Sequence, residues 1–311
     1  MSGFNTVALD AQLGAYHRKN KAELMRKMYT MDEARQYFTT VSDVQDEYVM
    51  TEIDAEEVIQ PANSHADWTP KGGFNFKPEI IKVRDFKVDL PLKLKALEKK
   101  WIGYLKTNGS SPEEYPFVAY LLDYQLERIM RDLNKATIKG VYNPPVDGTP
   151  GAAIDSFNGI EKVYNDAVTA GKITVNPTGA LLKSSIIDQV EETYDSVDSE
   201  FKDQELVMLI SREWRREYFR AKRREFGQNV DYQAADPVID FTNCRMVSPM
   251  HMNTGKIIIT PASNLLLCED GVEEEMEIRS QMNRRTLELM VDGKRGVGFG
   301  ITEGLVWGND Q

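Results

Sequence analysis

Seven cationic side chains crowd one short stretch: Arg212, Arg215, Arg216, Arg220, Lys222, Arg223 and Arg224, interrupted by Glu213 and Glu217. On a helix such a run can bind phosphates or pair with carboxylates. Trp214 and Tyr218 lie four apart within it, so one face of that helix belongs to the core and the charges occupy the others. A second candidate is the glycine-rich run Gly293-Lys294-Arg295-Gly296-Val297-Gly298-Phe299-Gly300. A phosphate loop needs Gly, four residues, then Gly-Lys-Ser/Thr opening a helix, so that backbone amides cradle the phosphates. Here 301–307 alternates like a strand, so the run reads as a β-turn with close backbone packing. The histidines, His17, His65 and His251, are scattered, and no nucleophile with a base beside it is legible. Cys244 and His251 stand seven apart without a second ligand pair at zinc spacing, which makes both packing residues. No catalytic residue, metal ligand or cofactor site is expected.

Composition narrows the class. The 311 residues carry a net charge of −11 and are 41% hydrophobic. A chain this long can bury a full core without disulfide or metal. The acidic balance argues against the whole chain gripping nucleic acid, though an acidic wall facing DNA remains compatible with it. No stretch approaches the ~20 apolar residues of a membrane span. The first ten residues lack the basic start and apolar run of a signal peptide. Two cysteines make no disulfide framework and fit a reducing cytoplasm.

The elements that must position these residues follow in order. Residues 1–44 carry few core signals and read as an arm, with a short helix over 31–38. From Tyr48 the pattern alternates: Val49, Thr51 and Ile53, then a return through Ile81, Val83, Phe86, Val88 and Leu90. The phase flips between Val83 and Phe86, which points to a bulge or to a strand wetted differently on its two faces. Residues 45–92 therefore read as an extended two-strand hairpin. Its tip, with Pro61, Pro70, Pro78 and Gly72-Gly73, is too long for an ordinary turn. Trp68, Phe74 and Phe76 sit in that tip, where a monomer gains nothing by wetting them. Ser110-Ser111-Pro112-Glu113-Glu114 is a helix start. Leu122, Leu126, Ile129 and Leu133, with Phe117, Leu121 and Tyr124 beside them, make a wide apolar stripe to Gly140, so 113–139 reads as one long helix. A helix over about 179–197, a buried strand at 205–210 and the arginine-rich helix from Ser211 to Gly227 give an α/β middle. Strands follow at 238–246, 255–260 and 264–267, with one long strand over 275–291.

The order of arm, extended loop, long helix, α/β middle and β-rich end resembles the major capsid protein of tailed bacteriophages, with its Hong Kong-type shell fold. Leu206-Val207-Met208-Leu209-Ile210-Ser211-Arg212-Glu213-Trp214-Arg215 looks like that family's central axial strand and the helix after it. Ile257-Ile258-Ile259-Thr260-Pro261-Ala262-Ser263-Asn264-Leu265-Leu266 resembles its return to the peripheral sheet. Residues 285–290, 292–294 and 300–307 resemble its closing strands. The resemblance runs from about residue 45 to the end.

It implies an α+β chain divided into an N-terminal arm (1–44), an extended loop (45–92), a peripheral domain with a spine helix (93–175), an axial domain (176–252) and a β-rich return (253–311). It also implies a non-enzymatic subunit without cofactors that forms hexamers and pentamers of itself. Its other partners would be portal, scaffolding and decoration proteins and, non-specifically, packaged double-stranded DNA, with no membrane. The location implied is the virion capsid, assembled in the bacterial cytoplasm. The arm is too short for the cleaved helical segment of many relatives, so a separate scaffold is expected. Some relatives weld subunits through a Lys–Asn isopeptide bond; Lys71 and Lys77 lie in the loop tip, but no acceptor asparagine can be located. Within this reading Trp68, Phe74, Phe76, Arg216 and Arg220 are the interface residues, with the acids at 269–270 and 273–275 as complement to the arginines. An encapsulin-like compartment and a soluble α/β enzyme with a glycine-rich ligand site are the alternatives.

Overall fold

The computed structural model describes residues 23, 26–55, 59–61, 71–93, 100, 117–173, 175–227, 238–252, 255–270, 276–283 and 286–311. For 52–55, 74–75, 92–93, 117–122, 226, 276–283 and 286–287 it describes the backbone alone. Among these residues the strands are β1 (Thr39–Val41), β2 (Glu47–Ala55), β3 (Phe74–Lys82), β4 (Arg84–Lys93), β5 (Val175–Asn176), β6 (Leu206–Ile210), β7 (Cys244–Val247), β8 (Ile257–Pro261), β9 (Leu265–Glu269), β10 (Met276–Asn283), β11 (Thr286–Phe299) and β12 (Trp307–Asn309). The longer helices are α1 (Phe117–Lys139), α2 (Ile160–Thr169), α3 (Ile186–Asp195) and α4 (Arg212–Phe226).

One sheet runs β5-β12-β8-β6-β7. All five residues of β6 are buried, because both faces of the sheet are covered. Val207 and Leu209 point with Ile258 into a core shared with Ile138, Ile160 and Tyr164. Leu206, Met208 and Ile210 point the other way, onto α3 and α4 through Ile186, Val190, Tyr194 and Tyr218. A strand sandwiched like this reads as a continuous apolar run, as Leu-Val-Met-Leu-Ile does. The helix before it is shorter than its apolar pattern suggests. The Gln189 side chain donates to the carbonyls of Thr178 and Ala180 and accepts from the Leu182 amide, which holds 178–182 as a loop ahead of Ile186.

The second sheet is built around β11. Its first part lies between β4 and β10, and its last part pairs with β9, which pairs in parallel with β1. The 275–291 stretch is thus not one strand. β10 and β11 pair antiparallel with Asn283 opposite Thr286, and β11 runs on to Phe299. The 293–300 run is accordingly strand as far as Phe299 and not a β-turn, although its backbone packing is as close as expected. The 238–246 stretch also divides: only 244–247 is strand, preceded by a turn closed by the Thr242 amide bonding to the Ile239 carbonyl.

Pairing also corrects the 45–92 segment. β2 and β3 pair with each other alone over 47–55 and 74–82. From Arg84 the chain changes sheets, and β4 pairs with β11 from Arg84 to Lys93. The phase flip between Val83 and Phe86 marks that change of sheet. Residues 26–44 are more deeply packed than an arm with few core signals would be. Met28, Ala34, Phe38 and Val44 are buried, and Asn134 of α1 bonds to the Glu33 amide and the Met31 carbonyl. In α1, Leu126, Ile129 and Leu133 are buried as their spacing requires, whereas Tyr124 is exposed.

Candidate functional site

The β2–β3 hairpin is seated by a stripe of glycines. Strand alternation sends Val297 and Phe299 into the core and Gly296 and Gly298 to the opposite face of β11. A Cβ at Gly296 would stand 2.5 Å from the Lys82 carbonyl oxygen, and one at Gly298 would stand 2.9 Å from Ile81. At Gly300 the obstacle would be the Met50 sulfur, at 2.6 Å. The glycine-rich run is therefore a landing strip for the hairpin base. Ile81 and Val83 pack there with Val44, Leu266 and Cys268. Further out, Glu79 pairs with Lys172 at 2.6 Å and Lys77 with Glu303 at 2.9 Å. The Lys71 ammonium donates to the Ile59 carbonyl at 2.9 Å.

The outer face of the same hairpin is apolar and wet. Val49 stands opposite Ile80, Thr51 opposite Pro78, and Ile53 opposite Phe76. Val49, Phe76 and Ile80 are 52%, 62% and 49% exposed. Phe76 thus stands on the exposed face of β3 and not in a loop tip, while of Phe74 only the backbone position in β3 is described. Trp68 falls outside the described residues, as do His17, His65, the helix start at 110–114 and the acids at 273–275.

Helix α4 starts where its sequence says it should. The Ser211 hydroxyl accepts from the Trp214 amide, a cap that satisfies one orphan donor of the first turn. Tyr218 is fully buried, and Trp214 packs beside it against the sheet. Arg216 and Arg220 are both exposed, and Arg220 pairs with Glu217 one turn back at 2.7 Å. Arg212 reaches Glu33 at 2.7 Å. Lys222 is buried, paired with Asp240 at 2.6 Å.

The acidic complement expected at 269–270 is engaged inside the subunit. Glu269 and Asp32 are buried around the guanidinium of Arg295, and Arg35 joins the same two carboxylates. Burial acts to lower the pKa of Arg295, but Asp32 and Glu269 together outweigh it and hold the pKa above its ordinary value. Asp270 pairs with Lys294 at 3.3 Å. Glu269 therefore cannot also face Arg216 and Arg220 of a neighbour. Sequence reasoning missed this quartet, since its two halves, Asp32 with Arg35 and Glu269 with Arg295, are separated by 234 residues from Arg35 to Glu269.

Both cysteines are buried, whereas His251 is only partly so. Burial pushes the Cys244 thiol up to about 12, and burial with Glu269 alongside pushes Cys268 up to about 11. Desolvation pulls His251 below its ordinary value, with Glu33 opposing and Lys135, Lys139 and Arg212 reinforcing. Sequence reading also missed Phe241, fully exposed at φ 61° in the turn before β7. An aromatic residue rarely takes that conformation. Among the described residues no group of three His, Cys, Asp or Glu could hold a metal, and no helix is long and apolar enough to cross a membrane.

No family model and no curated protein matches the chain in sequence. Solved structures match it almost end to end. A chain of the satellite phage P4 procapsid that includes the size determination (Sid) protein is 13% identical, over 98% of this chain and 97% of that one, with a TM-score of 0.59. A chain from the capsid of the native GTA particle is 10% identical over 90% and 96%, with a TM-score of 0.58. A chain of the cyanophage A-1(L) capsid asymmetric unit is 12% identical over 91% of each, with a TM-score of 0.56. The chain has the mixed α+β fold of phage capsid proteins.

Proposed function

We propose that this chain is the major capsid protein of a tailed bacteriophage, a structural subunit and not an enzyme. It tiles a closed icosahedral shell around packaged DNA as rings of six, with rings of five at the vertices. The observation that carries the reading is the hairpin with a pinned inner face and an apolar outer face, on a fold shared end to end with phage capsid proteins. A strand pair that leaves Val49, Phe76 and Ile80 in water gains by covering them. The partner proposed is the adjacent subunit, against which Trp68, Phe74 and Phe76 would be buried. Arg216 and Arg220 would lie at a contact between subunits.

In this reading 1–44 is the N-terminal arm, the β2–β3 hairpin the extended loop, β4 with 93–175 part of the peripheral domain and 253–311 the return to both sheets. Residues 176–252 would gather at the ring axis, and α1 would brace the peripheral layer between rings. Symmetry reuses each contact around the shell. Several modest contacts per subunit hold by avidity, so that misplaced copies can leave during growth. Portal, a separate scaffold and decoration proteins complete the partner set, and assembly takes place in the host cytoplasm.

The test is negative-stain electron microscopy of the purified protein, with size-exclusion chromatography beside it. Polyhedral shells or six-membered rings are expected. A protein that stays monomeric when scaffold is supplied overturns the reading.

A further inference from the structure

We infer that α3 and α4 together form a two-part docking surface for a second copy of this chain, the acidic stripe of one copy seating on the basic stripe of the next. The inference rests on the shell reading and names the surface that meets Arg216 and Arg220. Both helices pack on the same face of the β5-β12-β8-β6-β7 sheet, so both turn their outer sides to solvent. On α3 the exposed positions are Asp188, Glu191, Glu192 and Asp195, spaced i, i+3, i+4, i+7 along one face. That helix has four acids and no base. On α4 the exposed positions Arg212, Arg216, Arg220 and Arg223 fall within one stripe, and the helix carries seven Lys and Arg against three Glu.

Within the subunit these stripes are not spent on each other in the way their charges would allow. Among the described residues, Asp188, Glu191, Glu192 and Arg216 make no ion pair inside the subunit. The net charge of −11 decides between a second copy and DNA as occupant. Two such molecules repel on average, so a locally basic stripe is where one acidic copy can approach another. A polyanion would gain the same stripe but lie against the acids of α3 beside it. A contact that uses α4 of one copy and α3 of the next is heterologous. It leaves each copy a free half for a third, and closes into rings where the rotation permits. Such charges set approach rate and register more than affinity.

The experiment uses the full chain, with scaffold supplied, and two variants: Arg216→Glu and Glu191→Lys/Glu192→Lys. All three positions are exposed and, among the described residues, make no ion pair within the subunit, so circular dichroism should show the wild-type fold and melting in each. Particle yield by sedimentation should fall at least about tenfold for either variant alone, as for reversed charges across an interface. An equal mixture of the two should recover six-membered rings in which the two chains alternate, whereas a ring of five, being odd, cannot alternate and stays impaired. Wild-type assembly should weaken near ~1 M salt, where screening reaches about 3 Å. Variants that each assemble like the wild type, or a mixture that recovers nothing, overturn the inference while leaving the shell reading standing. If the arginine variant assembles normally but loses retention on immobilised DNA, the stripe serves nucleic acid and the inference fails. A wild type that never assembles overturns both.

Discussion

Arg295 and Glu269 are direct cross-strand partners on β11 and β9, both buried, and their side chains form an ion pair closed by Asp32 and Arg35. The pairing ties the 32–35 segment to both strands, and Arg295 also reaches Thr137 on α1. A buried charge network of this kind depends on every member being present, since a carboxylate left without its cation pays the full desolvation cost. Arg295→Met is expected to destabilise the subunit by about 3–5 kcal/mol in urea unfolding. Arg295→Lys should cost less, because it keeps the charge and loses only the fork that reaches both acids. An unchanged midpoint for Arg295→Met would show that the network is not holding the segment down.

The glycine stripe makes a local prediction. Gly296→Ala places a methyl against the Lys82 carbonyl, which is backbone and cannot rotate away. A cost of about 1–3 kcal/mol is expected, as for overpacking elsewhere. Gly298→Ala meets only the Ile81 side chain and should cost less. Hydrogen exchange is the readout. The Val83 amide, bonded to the Asp46 carbonyl at 2.8 Å, should lose protection in Gly296→Ala, while β6 amides keep theirs.

Phe76 and Ile80 should separate folding from assembly. Both are exposed, so Phe76→Asp and Ile80→Asp should change subunit stability by no more than about 0.5 kcal/mol. The same changes should lower particle yield sharply, since a carboxylate would have to be buried unpaired at the contact. Sedimentation and chemical denaturation on the same preparations check the two halves.

The thiols give a pH dependence with a definite sign. Cys244 and Cys268 titrate in the folded chain at about 12 and about 11, against 9.0 when unperturbed. Below pH 9 both states hold the protons and stability is unaffected. Between 9 and about 11 the unfolded chain releases protons that the folded chain keeps, so the thiols' contribution is lost as pH rises, by roughly 1.4 kcal/mol per unit for each thiol. The loss continues to about 12 for Cys244. Cys244→Ala and Cys268→Ala should flatten that decline. At pH 8 neither thiol should react with iodoacetamide until urea is added.

The sequence by itself determined the elements whose residues answer to local physics. The apolar run of β6 requires a strand covered on both faces, the Ser211 cap and the Trp214–Tyr218 spacing require α4, and the four-three-four spacing of Leu122, Leu126, Ile129 and Leu133 requires α1. Alternation through Val49, Thr51 and Ile53 placed the first strand of the hairpin, but its return begins at Phe74, inside the stretch read as the tip. The phase break near Val83 was legible too, but whether it marked a bulge or a change of sheet was not, because pairing partners are set by chain segments far apart. Only the tertiary structure decided that β4 joins β11, that Gly296 and Gly298 receive the hairpin base, and that Glu269 belongs to Arg295. Each of these is a contact across long stretches of chain, specified by the volume and charge left unfilled when the local elements come together. Glycine and glutamate carry no sign in sequence of which backbone or which arginine will fill that space.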